Sequence, residues 1–290
     1  MKAHTTLKTT YSGRTFDIVG SDADDSVFNS IKQHDGAWEP QIMDLLAKLV
    51  GPDDVCLDIG ANLGAHTLVM SELARKVYAF EPSFINSGFL SENVTSNGLD
   101  NVSVQTIGLG SSSGQQEFTH LVGLAGCSFL SPEEPVEDVL MKAWGQNLER
   151  VTETVQIETL DQWATSTKID RLDFVKMDAE GSELAVLEGG AKTFERFKPK
   201  LIVELNKNTL SLYYGIQPEA FFDRLSSIYK YIYIISDERH AVPVRAKSFR
   251  DVEKELVPGH HWADLLCMSK PYQTLSERLM HPFYKAIGRK

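Results

Sequence analysis

The chain has 290 residues, 42% of them hydrophobic and 24% charged, with a formal net charge of −11. That length supports a sizeable core, while the acidic balance and the lack of a sustained Lys/Arg run argue against a nucleic-acid partner. No apolar stretch approaches the roughly 20 residues of a membrane-spanning helix, the start "MKAHTTLKTT" has no signal-peptide core, and Cys56, Cys127 and Cys267 form no ligand pattern, so a reduced, cytoplasmic protein with no metal site is expected.

In chain order, "SDADDS" at 21–26 reads as a solvated turn into a helix, because Val27 and Gln33 stand where a calcium loop needs glycine and glutamate. In "PQIMDLLAKLV", Ile42, Leu45, Leu46 and Leu49 recur at i, i+3, i+4 and i+7, a helix entered at Pro40. "DVCLDIG" predicts a strand, and Ala65, Leu68, Val69 and Leu73 a helix after it. "KVYAFEP" predicts a second strand, followed by a helix from about Phe84 that stops at Asn97-Gly98. "NVSVQTIG" alternates as a third strand before the turn "SSSG". From 119 to 150, Gly, Pro and acidic residues break the pattern, which predicts an insertion or lid over the strand ends.

"LDFVKMD" resumes as a strand, with a helix marked by Leu184, Leu187, Ala191 and Phe194 and a further strand in "PKLIVELN". Phe221, Leu225, Ile228 and Tyr229 predict a helix, followed by strands "KYIYIIS" and "ADLLCMS". "YQTLSERLMHPFYKAIGRK" is a basic, amphipathic tail suited to docking on the body or on a second copy, so a homo-oligomer is one expectation. Strands alternating with helices predict a doubly wound α/β sheet in one domain.

In such a sheet ligands sit beyond the carboxyl ends of the strands, so Asp58, Glu81 and Asp178 share one edge. Gly60 and Gly64 let backbone approach a ligand closely, and the helix start beyond them offers free N–H groups. An aliphatic-Asp-x-Gly run is also an ordinary structural turn; Glu81, placed to accept both hydroxyls of a ribose, turns the reading toward a nucleoside. "GANLG" lacks the middle glycine of the dinucleotide loop G-x-G-x-x-G, so a pyrophosphate is poorly served. S-adenosylmethionine has no phosphate and carries an ammonium and a sulfonium, for which Asp58 is an asset.

"WEP" at 38–40, "DVCLDIGANLGAHTL", "AFEPSFINSGFLSENVTSNGLDNV", "IETLDQW", "LDFVKMDAEGSELAVLEGG" and "PKLIVELN" together resemble the FkbM-type S-adenosylmethionine-dependent methyltransferases, a class I Rossmann-like branch, in the family's order over roughly 38–206. The resemblance implies a mixed seven-stranded sheet with an antiparallel last strand, and methyl transfer, usually to oxygen, with S-adenosylhomocysteine as product. It places Asp58, Gly60, Asn62 and Gly64 on the methionine part of the cofactor and Glu81 on the ribose. Glu39 is expected to reach the same pocket, in competition with a role as a helix N-terminal carboxylate. The domain layout expected is a helical N-terminal extension (1–50), a cofactor-binding core (51–206) interrupted by the 119–150 insertion, and C-terminal substrate-side elements and tail (207–290). Met177 and Ala179 depart from the family's β-branched residues as a packing change, and "GLAGCSFL" follows the family loosely, which leaves the substrate open.

Methyl transfer is an in-line displacement that gains chiefly from positioning, with a base needed where the acceptor must lose a proton. Asp178, Glu180 and Glu204 are the catalytic candidates; Glu180 competes with a helix-capping role, and Glu183 and Glu188 read as solvated helix charges. His66 is expected in a core or capping role, and "GHHWAD" as an ordinary loop. The function expected is O-methylation of a hydroxyl on a sugar, glycan or natural-product intermediate, with N-methylation of an amine or amide of a small molecule or peptide as a variant. A nicotinamide-dependent oxidoreductase and a non-catalytic cofactor-binding scaffold are the competitors from other classes.

Overall fold

The computed structural model describes residues 4–11, 14–21, 26–34, 37–237, 242–256 and 259–273. The expected C-terminal tail from 274 and the centre of the "SDADDS" turn, 22–25, lie outside the described residues. A hairpin of β1 (His4–Tyr11) and β2 (Arg14–Ser21) precedes α1 (Ser26–Gln33) and α2 (Pro40–Leu49). Then come β3 (Val55–Ile59), α3 (Ala65–Leu73), β4 (Lys76–Phe80), α4 (Phe84–Ser96) and β5 (Val102–Gln105). The middle of the chain forms β6 (Gly108–Leu109), β7 (Gly114–Leu121), β8 (Phe129–Leu130), α5 (Val136–Trp144), β9 (Arg150–Glu158) and α6 (Leu160–Ser166). The last third forms β10 (Phe174–Met177), α7 (Glu183–Gly189), α8 (Ala191–Phe197), β11 (Lys200–Asn206), a π-helical turn (Thr209–Tyr213), α9 (Pro218–Ile228), β12 (Tyr231–Ile235), β13 (Val244–Ala246), α10 (Phe249–Glu253) and β14 (Trp262–Met268).

The main sheet runs β13-β12-β14-β11-β10-β3-β4-β5. The expected seven strands are β12 through β5 of this order, and β14, last in the chain, is antiparallel to both neighbours. An eighth strand, β13, pairs antiparallel with β12 at the edge. It is three residues long and its Val244 is exposed, too short a run to show alternation in sequence.

β3 and β10 are buried along their whole length, the signature of strands covered on both faces. One face packs Leu57, Val175 and Val203 against Phe194 and Phe221; the other packs Cys56, Phe174 and Ile202 against Ile42 and Leu46 of α2. Side chains alternate along a strand, so Asp58, two residues after Cys56, and Lys176, two after Phe174, both stand on the α2 face, where Lys176 and Asp58 are register partners. From β3 the chain winds outward to β4 and β5 and later restarts on the other side with β10, which makes the β3/β10 edge the topological switch point.

Two regions differ from the sequence reading. The stretch expected as an irregular insertion at 119–150 contributes to a second sheet, β6-β9-β7-β8, in which β7 and β9 pair antiparallel over eight positions from Gly114 to Leu121. Phe118 through Leu121 are all buried, so this strand shows no period of two to read. The N-terminal extension, expected to be helical, starts with a hairpin whose first strand is threonine-rich rather than alternating. Its second strand is held by amide side chains of α4. Asn97 accepts the Asp17 N–H at 2.8 Å and donates to the Asp17 carbonyl at 2.7 Å, and Asn93 accepts the Val19 N–H at 2.6 Å and donates to the Val19 carbonyl at 3.1 Å. Asn93 also donates to the Leu63 carbonyl at 2.8 Å, tying the hairpin to the glycine turn after β3.

Candidate active site

The turn after β3 is fixed by its neighbours on both sides. The N–H groups of Gly60 and Ala61 both donate to the Phe80 carbonyl at the end of β4, at 3.0 and 2.9 Å. Gly60 has φ +78°, and a Cβ there would stand 1.7 Å from the Asp178 carbonyl oxygen, so the backbones beyond β3 and β10 touch in a way only glycine permits. Asn62 is also left-handed, at φ 52°. Gly64, at φ +97°, then turns the chain into α3 against Leu90.

Two carboxylates flank this turn. Asp58 is 1% exposed; its Oδ2 accepts the Thr67 hydroxyl at 2.5 Å, and its Oδ1 has no partner. Burial pushes its carboxyl up, opposed by the nearby Lys176 ammonium and the Thr67 bond. Glu81, just beyond β4, accepts the Asn62 N–H on Oε2 at 2.9 Å and the Ser83 N–H on Oε1 at 3.0 Å. Burial pushes its carboxyl up to about 7 against the pull of those bonds.

At the end of β10, Lys176 is 5% exposed and donates to Asp178 Oδ2 at 2.9 Å. Burial alone would discharge this ammonium, but Asp178, Glu39 and Asp58 outweigh it and raise its pKa. The loop that follows is held by Glu183, whose Oε1 accepts the N–H groups of Ala179 at 2.7 Å and Gly181 at 3.3 Å. Glu183 is therefore a buried brace rather than the solvated charge its helical position suggests, while Glu188 is exposed as expected. Glu180 sits at φ 49°, its carboxyl raised well above the ordinary range by burial and then by Asp178 and Glu183.

One strand further out, Glu204 on β11 lies directly opposite Asp264 on β14. Glu204 Oε2 is buried without a partner; burial, Asp178 and Glu180 raise this carboxyl well above its usual range. Asp264 is pushed up to about 7 by burial and by Asp178. Glu39, at the N-terminus of α2 with φ 45°, makes no side-chain capping bond, and its Oε2 lies 3.5 Å from His66 Nε2. Burial, followed by Asp264, pushes its carboxyl up to about 8, with Lys176 opposing.

A cavity opens at this edge. Six of the nine residues expected from sequence line it: Asp58, Gly60, Asn62, Glu81, Asp178 and Glu180. Gly64, Glu39 and Glu204 stand behind the lining, Gly64 as the turn into α3, Glu39 beside His66, and Glu204 on the next strand. Val27 of α1, Gly126 and Ser128 of the middle segment, and Phe118 of β7 also contribute to its wall.

Sequence reasoning passed over Lys176 and Asp264 and gave His66 a core or capping role. Lys176 had a signal: a lysine inside an apolar strand run is costly unless paired, and Asp178 follows two residues later on the same face. His66, 4% exposed and on the cavity wall, is buried as expected of a core residue, yet its Nε2 has no hydrogen-bond partner. Asp264 becomes relevant only through the β11/β14 pairing, which no local pattern announces. In "GHHWAD", His260 stacks on Trp262 with centroids 4.5 Å apart.

Residues 58–231 match the model of the methyltransferase FkbM domain. The chain is 32% identical over 152 residues to Methyltransferase sdnD of Sordaria araneosa, covering 46% of this chain and 59% of that protein. It is 30% identical over 153 residues to Hexuronic acid methyltransferase AglP of Haloferax volcanii, covering 52% of this chain and 56% of that protein. It is 27% identical over 200 residues to 2-O-methyltransferase NoeI of Sinorhizobium fredii, covering 64% of this chain and 76% of that protein. Among solved structures, the methyltransferase FkbM of Methylobacillus flagellatus KT aligns with a TM-score of 0.43 at 18% identity, over 78% of this chain and 50% of that one.

Proposed function

This chain belongs to the FkbM methyltransferase family, and from that premise we propose that it is a methyltransferase acting on a hydroxyl of a sugar, glycan or natural-product intermediate with S-adenosylmethionine as donor. The observation that carries the donor is the buried, unpartnered Oδ1 of Asp58 beside a glycine whose side-chain space is taken by the Asp178 carbonyl. An orphaned buried acceptor at a close-approach turn fits a cationic ligand lying against the backbone. Glu81 completes the fit: the Asn62 and Ser83 N–H groups and the Asn86 side chain hold its carboxyl on the cavity wall, where it can accept from a ribose hydroxyl. Asp58, Gly60, Asn62 and Gly64 would hold the methionine end, Glu39 would reach it from α2, and Glu81 the ribose. The similarity to a hexuronic acid methyltransferase and to a 2-O-methyltransferase supports an oxygen of a sugar as acceptor.

When bound, S-adenosylmethionine supplies an electrophilic methyl on a sulfonium and is released as S-adenosylhomocysteine. The chain's own contribution is to align the acceptor and to take its proton. Asp178, on the cavity wall and ion-paired with Lys176, is the base in this reading. Burial and Asp178 raise the carboxyls of Glu180 and Glu204 well above the usual range, which makes them poorer bases than Asp178; Glu180, on the cavity wall, is placed to orient the acceptor. Isothermal titration with S-adenosylmethionine, S-adenosylhomocysteine and NAD, repeated on Glu81→Ala, tests the donor. Micromolar binding of the first two, lost in the variant, is expected, and binding of NAD alone would overturn the reading. Mass-spectrometric screening of sugar and amine acceptors then tests the hydroxyl assignment.

A further inference from the structure

We propose that His66, oriented by Glu39, hydrogen-bonds the α-ammonium of the donor's methionine end; this rests on the S-adenosylmethionine reading above. His66 lies in the first turn of α3, is 4% exposed and lines the cavity. A histidine buried only for packing satisfies its ring nitrogens within the protein, whereas His66 Nε2 has no hydrogen-bond partner, with Glu39 Oε2 3.5 Å away. The other buried, unpartnered polar atom on the same wall is Asp58 Oδ1. Asp58 Oδ1 and the ring of His66 thus stand on one cavity wall with hydrogen-bonding capacity unused inside the protein.

The sign of that group follows from the neighbours. Lys176 is already engaged by Asp178 at 2.9 Å, and is the only lysine or arginine among the described residues lining the cavity. Asp58, Asp178 and Glu39 gather around that single ammonium, so this end of the cavity is acidic. Burial, reinforced by Lys176, keeps the imidazole neutral, which gives it one donor and one acceptor nitrogen. With Nε2 turned toward Glu39, 3.5 Å away, Nδ1 is the nitrogen left to accept. An ammonium matches that lone pair, while a carboxylate would meet it as a second acceptor.

Isothermal titration of the full chain with S-adenosylhomocysteine, which has the ammonium, and 5′-methylthioadenosine, which lacks the whole amino-acid end, separates a reading role from a structural one. His66→Leu is expected to weaken S-adenosylhomocysteine about tenfold or more, the scale of one charged hydrogen bond, and to leave methylthioadenosine unchanged. His66→Asn, which keeps an acceptor near the Nδ1 position, is expected to recover much of that loss. His66→Gln, whose amide reaches the Nε2 position instead, is expected to behave like leucine and replaces it if that variant does not fold. Equal losses for both ligands, or no loss for S-adenosylhomocysteine, would overturn the proposal. If the unmodified protein binds neither ligand, the donor reading itself fails and this inference with it.

Discussion

The two halves of the candidate site handle buried carboxylates in opposite ways. On the β3/β4 side, Asp58 and Glu81 are met by donors from their own neighbourhood, the Thr67 hydroxyl and the Asn62 and Ser83 N–H groups. On the β11/β14 side, Glu204 faces Asp264 across the strands and both feel Asp178, with Lys176 the nearby cation and already paired. The first half meets each carboxyl with hydrogen-bond donors, whereas the second sets carboxyl against carboxyl. Asp178 stands at the border, which suits a residue that works with the donor on one side and the acceptor on the other.

The variant that tests this border most severely is Asp178→Asn. It keeps the shape and a partner for Lys176 but removes the proposed base, so methyl transfer is expected to fall about 10²- to 10⁴-fold while S-adenosylhomocysteine affinity changes little. A parallel loss of both in titration and turnover assays would place Asp178 wholly on the donor side. Gly60→Ala attacks the junction itself. At φ +78° and 1.7 Å from the Asp178 carbonyl, the added methyl must push the two loops apart, with an expected cost of about 3 kcal/mol in thermal unfolding. An unchanged melting temperature would mean the loops do not meet as described.

Glu204→Gln sharpens the contrast from the other side. Burial and Asp178 push this carboxyl toward its neutral form, which is nearly isosteric with an amide, so the variant is expected to keep donor affinity and lose less than about tenfold in turnover. A loss as large as that of Asp178→Asn would move the base to Glu204.

The same division decides what was legible in sequence. "DIGANLG" and Glu81 belong to consecutive strands, so a local pattern carried both the turn and its two carboxylates, and the seven-strand order with a reversed last strand followed from the resemblance. Glu204 was noticed because a carboxylate in an apolar strand needs a reason, but its partner Asp264 lies 60 residues away and is joined to it only by antiparallel pairing. The hairpin and the second sheet were missed because β1 is threonine-rich without apolar alternation and β7 is buried on successive residues. In each case the burial that stabilises the strand is supplied by distant chain, such as Asn93 and Asn97 of α4, and leaves no mark at the strand itself.

The smallest expected effect is a pH dependence that links the halves. Burial raises Glu39 to about 8 and Glu81, Glu183 and Asp264 to about 7, all above their unfolded values near 4. The folded chain then binds more protons than the unfolded one between those limits, so this stabilisation is complete below pH 4 and is lost as pH rises through 7 to 8. The free protein is therefore expected to melt at a lower temperature at pH 8 than at pH 6. A cationic donor reverses the preference, because its ammonium and sulfonium favour ionised Glu39 and Asp58. Its affinity is expected to rise severalfold from pH 6 to 8, with protons released on binding, measurable by titration in buffers of different ionisation enthalpy. Affinity that falls over that range would mean the ligand meets protonated carboxyls rather than carboxylates.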